Sequence, residues 1–485
     1  MLRFDAFALD PGQHTLTRGG DLMPLSPHLV DILGHLVAHQ GEIVTKNELL
    51  ETFWPDVNVT ENTLTRAIAD IRKVLGDPAG SPRYIQTVAR RGYRFLAAVQ
   101  RGQIAPLSQD DPLRDFVRGR FALESLDATR LPHAVHAFEQ AVASMPSYAP
   151  AHTALASAHL LQYEATRACN LPNREPLTRA VEHARRACAL DPTLGEAWAT
   201  LGFILAATGE FEEARAVSRR AAALEPTSWR HHFRLGLASW GEERLRACDR
   251  TLSLMPDFAP AQFAAAMVFI ARQAFGPALA AATAGAAAQS RQLVHEASPF
   301  PAIGLHWLRG LLLLRERQVG LAIESFAREM DELREAQIYA GEFRVNAQVA
   351  AGFAHLTASD ATGAIDAFRV ALETLPRNGR ALVGLYAAFR RTSLASEAGS
   401  LLPQIDGIID ELRVGQRLVE AAIIRAAAEA SQGNLDAGCA ILEQLLESAP
   451  PGQTGWQIPV EPALAPLRAH PQFPKITALL AARAA

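Results

Sequence analysis

Apolar residues recur every three or four positions along most of the 485-residue chain, the spacing of helices that bury one face. The first hundred residues differ, because short alternating stretches interrupt that period. "RFDAFAL" (3–9), "HTLTR" (14–18) and "DLMPL" (21–25), separated by "DPGQ" and "GG", predict a small antiparallel meander. "SPHLVDILGHLVAHQG" predicts a helix capped by Ser26, with Pro27 at its first position, that ends at Gly41. Leu29, Ile32, Leu33, Leu36 and Val37 form its apolar stripe. A second helix, "TKNELLETFW", opens on the capping box Thr45/Glu48 and stops at Pro55. A third starts at Thr60 in "TENTLTRAIADIRKVLG" and closes at Gly76. "RYIQTVARRGYRFLAAV" then alternates on both sides of Gly92, which predicts two strands joined by a short turn with Arg90 and Arg91 at or near its tip.

The third helix carries two opposed stripes. Leu64, Ile68, Ile71 and Leu75 make the apolar one; Asn62, Arg66, Ala69 and Lys73 make the other at the same spacing. Arg and Asn can reach base edges, Lys can reach phosphate, and Ala permits close approach, so this stripe suits a helix entering a major groove. Taken alone, it reads more simply as a solvated face with Arg66 paired to Asp70 one turn on.

Sheet, three helices, then hairpin is the order of a winged helix with an N-terminal sheet. In "LSPHLVDILGHLVAHQGEIVTKNELLETFWPDVNVTENTLTRAIADIRKVLGD" and "PRYIQTVARRGYRF", residues 1–98 resemble the DNA-binding domain of OmpR/PhoB-type regulators. The closer likeness is to the branch without a phosphoreceiver, typified by CadC-like and ToxR-like activators. The resemblance implies a recognition helix at 60–76 and a wing at 83–98 that reaches the minor groove or backbone. It implies double-stranded DNA as partner, and a loop, Pro55–Val59, able to meet RNA polymerase. Carried over by position, the recognition face is Asn62, Thr65, Arg66, Ala69, Asp70 and Lys73; the wing contributes Thr87, Arg90, Arg91 and Tyr93. The sequence departs from the family at Ala67, Ala69 and Asp70, where relatives carry His or Arg, and at Ala89, where they carry Arg. Base readout then rests mainly on Arg66 and Asn62, with phosphate contacts and dimerisation on DNA supplying strength.

Beyond the polar, aperiodic "RGQIAPLSQDDP" (101–112), which reads as a linker, the chain repeats itself. Trp198, Leu201, Gly202, Gly209, Ala214, Ala221 and Pro226 sit at fixed offsets, and Pro192 to Pro226 spans 34 residues. The same frame fits Phe121, Ala122, Ala134, Phe138, Ala141 and Pro146, and again Ala351, Gly352, Ala364, Phe368, Ala371 and Pro376. Degenerate copies fill the gaps, and one unit carries a twelve-residue insertion near "RACNLPNREPLT". This pattern is similar to that of tetratricopeptide repeat (TPR) arrays. A winged helix followed by such repeats resembles a class of bacterial transcriptional regulators. The resemblance implies about nine units and a groove for a peptide or protein partner.

The expected architecture is mainly α: a winged helix (1–100), a linker (101–112), a TPR-like solenoid (113–450) and a capping segment (451–485). A net charge of −4 excludes a protein basic throughout, so nucleic-acid contact needs a local patch. Residues 61–100 supply one, with seven Arg/Lys (66, 72, 73, 83, 90, 91, 94) against three acids (61, 70, 77), whereas residues 1–60 are net acidic. Cys169, Cys188, Cys248 and Cys439 form no CxxC pair and suggest neither disulfides nor a zinc site. The N-terminus lacks a signal-peptide pattern, and the most apolar region, 263–288, is broken by Arg272, Gln273 and Pro277, so a cytoplasmic protein without membrane association is expected. No catalytic motif emerges, and His133/His136 and His231/His232 have plainer structural roles than ligation, so neither cofactor nor metal nor enzymatic activity is expected. Two functions remain open: a DNA-binding regulator whose TPR region takes an input or self-associates, and a TPR scaffold whose winged helix binds protein or has weak DNA affinity.

Overall fold

The computed structural model describes residues 2–10, 15–18, 21–23, 25, 27–53, 61–88, 91–101, 112–124, 127–292, 300, 302–334 and 337–485. Two compact units divide the chain, one from Met1 to Phe121 and the other comprising Ala122–Leu293 and Ser298–Ala485. The segment expected to link them, 101–112, lies outside the described residues at 102–111.

In the first unit, β1 (Leu2–Phe4), β2 (Phe7–Asp10), β3 (Thr15–Arg18) and β4 (Asp21–Leu22) form the meander. The stretch "RFDAFAL", expected as one strand, is a hairpin. Asp5 turns the chain with φ 48°, and Leu2 pairs with Leu9 and Phe4 with Phe7. The apolar alternation survives because Phe4, Phe7 and Leu9 all face the core. Helices α1 (Pro27–Ala38), α2 (Lys46–Phe53) and α3 (Glu61–Leu75) follow the expected order, and β5 (Val44–Thr45) precedes α2 directly. The Glu48 amide donates to Thr45 Oγ1 at 3.1 Å, one half of the expected capping box. Strands β6 (Ile85–Val88) and β7 (Gly92–Phe95) complete a sheet ordered β5-β7-β6, while β8 (Gln100–Arg101) closes the meander as β4-β3-β2-β1-β8. Ile32, Leu33, Leu36, Leu64, Ile71, Phe95 and the rings of Phe4 and Phe7 share one core between the helices and the two sheets.

Helix α4 (Pro112–Glu124) spans the division between the units. In the second unit the helices run α5 (Leu131–Ser144), α6 (Ala149–Glu164), α7 (Glu175–Leu190), α8 (Gly195–Thr208), α9 (Phe211–Leu224), α10 (Trp229–Ala238), α11 (Gly241–Leu254), α12 (Ala259–Ala271) and α13 (Phe275–Gln292). They continue with α14 (Leu305–Arg315), α15 (Val319–Glu332), α16 (Ala340–Thr357), α17 (Ala361–Thr374), α18 (Gly379–Phe389), α19 (Ala395–Ala398), α20 (Leu402–Val414), α21 (Leu418–Gln432), α22 (Leu435–Ser448) and α23 (Phe473–Arg483). Each even-numbered helix from α6 to α16 packs with its successor, as do α20 and α21 with their neighbours, in the antiparallel hairpins of a helical solenoid.

Small residues at the repeat positions set how closely those helices cross. A Cβ added at Gly352 of α16 would lie 2.5 Å from the ring of Phe368 on α17, which is wholly buried. The glycine makes room for the phenylalanine, and neither choice is intelligible without the other. Among the cysteines, Cys188 and Cys248 are buried, and burial pushes their thiols up to about 11 and about 12. They behave as small apolar residues.

Two features of the array exceed the repeat pattern. The insertion after α6 reaches across to late helices: Arg167 pairs with Glu342 at 3.1 Å, Asn170 Nδ2 donates to Glu411 at 3.0 Å, and Arg417 donates to the Cys169 carbonyl at 2.9 Å. The C-terminal segment also does more than cover an end. Its 3₁₀ turn, Pro462–Ala469, lies on α14, α16, α18 and α21, and α23 reaches α12. Ile458, Leu464, Leu467, Ile476 and Leu480 are all fully buried there. The tail thus covers the first helices of the later pairs, from α12 to α21.

Candidate nucleic-acid interface

The two stripes of α3 separate as their spacing requires. Leu64, Ile68, Ile71 and Leu75 are each 3 % exposed or less, while Thr65, Arg66, Ala69, Asp70 and Lys73 are exposed. Asn62 lies in the first turn of the same helix, and its side chain falls outside the described residues. One helix therefore presents two cations, two small residues and an acid on a single solvent-facing surface.

The wing is held by α3 itself. Arg72 donates through Nη2 to the Ile85 carbonyl at 2.6 Å and to Thr87 Oγ1 at 2.8 Å. Its guanidinium is committed to β6, so this cation serves as a tie between helix and hairpin. Asp77 fixes the approach to β6. Its buried carboxylate accepts from the amides of Arg83 (2.6 Å), Tyr84 (3.1 Å) and Ile85 (2.8 Å). Sequence reasoning counted both residues only as charges; the signal available was an acid at the end of a helix, ahead of a Pro/Gly turn.

At the hairpin turn the Arg91 amide donates to the Val88 carbonyl at 3.0 Å, and the Arg91 side chain is exposed. Ala89 and Arg90 lie outside the described residues, as does the Pro55–Val59 loop. Gly92 is required by close approach: a Cβ there would sit 2.0 Å from the Val44 carbonyl oxygen of β5. Thr87 is exposed on the wing and occupied by Arg72. Tyr93 corrects the expectation. It is 3 % exposed, because β7 turns both Tyr93 and Phe95 inward, so its ring belongs to the core and not to the wing surface. Arg83, another cation of this region, pairs with Asp5 at 2.8 Å.

Comparison with known proteins follows the same division. The profile described as "Transcriptional regulatory protein, C terminal" matches residues 20–95, and a tetratricopeptide repeat profile matches residues 195–238. The N-terminal module is an OmpR/PhoB-type winged helix joined to a TPR region. Over 123 residues the chain is 31 % identical to the transcriptional activator CadC of Escherichia coli, covering 24 % of this chain and 24 % of that protein. It is 35 % identical over 109 residues to the cholera toxin homolog transcriptional activator of Vibrio parahaemolyticus, covering 21 % of this chain and 37 % of that protein. The solved DNA-binding domain of E. coli CadC shares 32 % identity over 20 % of this chain and 94 % of that one, with a TM-score of 0.19. The chain thus spans a quarter to little more than a third of the length of these relatives, and the likeness lies in the winged-helix module. These relatives are transcriptional regulators, not enzymes. Among the described residues, no helix is long and apolar enough to cross a membrane.

Proposed function

We propose that this chain is a DNA-binding transcriptional regulator in which α3 enters the major groove and the β6–β7 wing meets phosphate or the minor groove. The observation that carries the reading is the α3 surface. Arg66 and Lys73 flank Ala69 on the exposed face, while the opposite face is sealed into the core and Arg72 ties the wing to the same helix. Arg66 and Asn62 read bases; Lys73, Arg90 and Arg91 contact phosphate; Thr65, Ala69 and Asp70 shape the approach. The module makes up residues 1–100, and the Pro55–Val59 loop is the surface offered to RNA polymerase. The TPR region receives a protein partner or a second copy of the chain in the cytoplasm. A partner for the first helices of the later pairs would have to displace the tail seated on them.

The test is fluorescence anisotropy of the full chain on genomic promoter fragments across a salt series. Arg66→Ala is expected to lower affinity for the preferred fragment relative to random DNA. Arg90→Ala/Arg91→Ala is expected to lower affinity for all sequences and flatten the salt dependence by about two phosphate contacts. An unchanged salt slope in the double variant would show that the wing does not touch DNA.

A further inference from the structure

Away from the α3 face, the joint between α1 and α2 gathers two imidazoles and a carboxylate. His35 lies in the last turn of α1, His39 follows just past its end, and Glu48 is in the first turn of α2. One nitrogen of each ring and a Glu48 carboxylate oxygen all lie within 4.8 Å of one another. We propose that these three residues form a binding site for a divalent transition-metal ion of the zinc class.

The donor chemistry fits. Two imidazoles and one carboxylate are the ligands of a borderline-soft ion, and a water can take the fourth tetrahedral position; calcium and magnesium would require oxygens throughout. The tautomer fits as well. His39 Nδ1 lies 2.9 Å from the His35 carbonyl, which can only accept, so Nδ1 carries the proton and Nε2 keeps its lone pair. Metal-bound histidines are commonly oriented by this kind of hydrogen bond from the other nitrogen. The spacing also fits. Tetrahedral zinc with bonds of about 2.0–2.1 Å holds its ligand atoms roughly 3.3 Å apart. His35 Nε2 and Glu48 Oε1 are already 3.1 Å apart, and the two imidazole rings have centroids 4.4 Å apart.

The surroundings hold the ligands in place while leaving them reachable. Phe53 sets its ring edge-on to His35 at 5.5 Å, and Thr45 fixes the backbone of Glu48 through the helix cap. All three ligands are half-buried, so an ion can enter from solvent. Without metal, His35 Nε2 and Glu48 Oε1 make a direct polar contact across the joint. Bound metal would replace that contact by a bridge between α1 and α2, stiffening the module that carries α3.

The test is zinc titration of the full chain in competition with a chromogenic chelator, alongside thermal unfolding with and without zinc. The parent is expected to bind one ion at this site, and zinc is expected to raise its unfolding temperature. His39→Gln and Glu48→Gln each remove one ligand while conserving size, and each is expected to weaken this binding by at least about tenfold. Circular dichroism of the zinc-free variants checks that their helices persist. X-ray absorption of the zinc-loaded parent gives a readout independent of the variants, with an expected shell of nitrogen and oxygen including two imidazoles. Zinc affinity and stoichiometry unchanged in both variants would overturn the proposal, as would a thiolate in the shell or the absence of any zinc-dependent shift in the parent.

Discussion

Arg72 Nη2 donates to Thr87 Oγ1 at 2.8 Å and to the backbone of Ile85, so one side chain of α3 fastens the first strand of the wing. Hydrogen bonds from a charged donor are worth about 1.5–3 kcal/mol each against loss of the partner. Arg72→Ala is therefore expected to loosen β6 without unfolding the module. Amide exchange at Ile85–Val88 should accelerate, and affinity for DNA should fall for specific and random sequences alike. A variant with native exchange rates and weakened binding would mean that Arg72 acts on DNA directly.

Asp77 gathers three amides ahead of β6. Asp77→Ala would leave buried donors without an acceptor, at a cost of about 2–4 kcal/mol. Denaturant unfolding of the first unit should register that loss, and Asp77→Asn should recover part of it, since one oxygen remains.

Gly92→Ala is expected to destabilise the same unit by about 1–3 kcal/mol, because the new methyl would collide with the Val44 carbonyl and push β5 from β7. The measurement is the unfolding midpoint. A midpoint equal to that of the parent would show that the sheet can shift to admit a Cβ.

His183 sets a pH limit on the array. Burial, with His152 and His159 beside it, holds its pKa down to about 4. His152 Nε2 faces the Pro146 carbonyl at 3.0 Å and so carries its own proton, which makes His183 Nδ1 the donor to His152 Nδ1 at 3.1 Å. The unfolded chain binds a proton at about pH 6.5, and the folded chain does so only near 4, so stability is full above 6.5 and is lost as pH falls between those values. The loss is at most about 3 kcal/mol, and less where solvent reaches the ring. His183→Gln should flatten the pH dependence of thermal unfolding in that window relative to the parent.

Leu464 is fully buried where the tail crosses the later helices of the array. Leu464→Ala is expected to cost about 2–5 kcal/mol locally and to free the tail before the solenoid melts. Limited proteolysis reads this directly, as cleavage within 450–472 at protease levels that leave the parent intact.

Much of the winged helix was legible in the sequence because each signal was local. The α3 stripe, the Thr45 cap on α2 and the glycines that end α1 and α3 follow from spacing within one helix turn or one strand. The repeat frame was legible for the same reason, since Gly352 and Phe368 recur at fixed offsets. The burial of Tyr93 was not legible, because alternation gives two faces to a strand and does not say which one the core will cover. The hairpin at Asp5 was missed because a non-glycine residue in the left-handed region leaves no compositional mark. The His35–His39–Glu48 cluster escaped notice because half of it is a turn of helix and the other half arrives from α2.

The sequence by itself determined the kinds of element, their order and the residues that seal each helix, because these depend on period, capping and volume over a few residues. Tertiary structure alone decided that Arg72 serves the wing, that Asn170 and Arg417 bind across the array, and that the tail packs on the first helices of the later pairs. Those contacts join residues up to 248 positions apart. Their energies depend on where the solenoid's curvature brings distant surfaces together, and that curvature is the sum of many small helix–helix packing choices that no single stretch of sequence records.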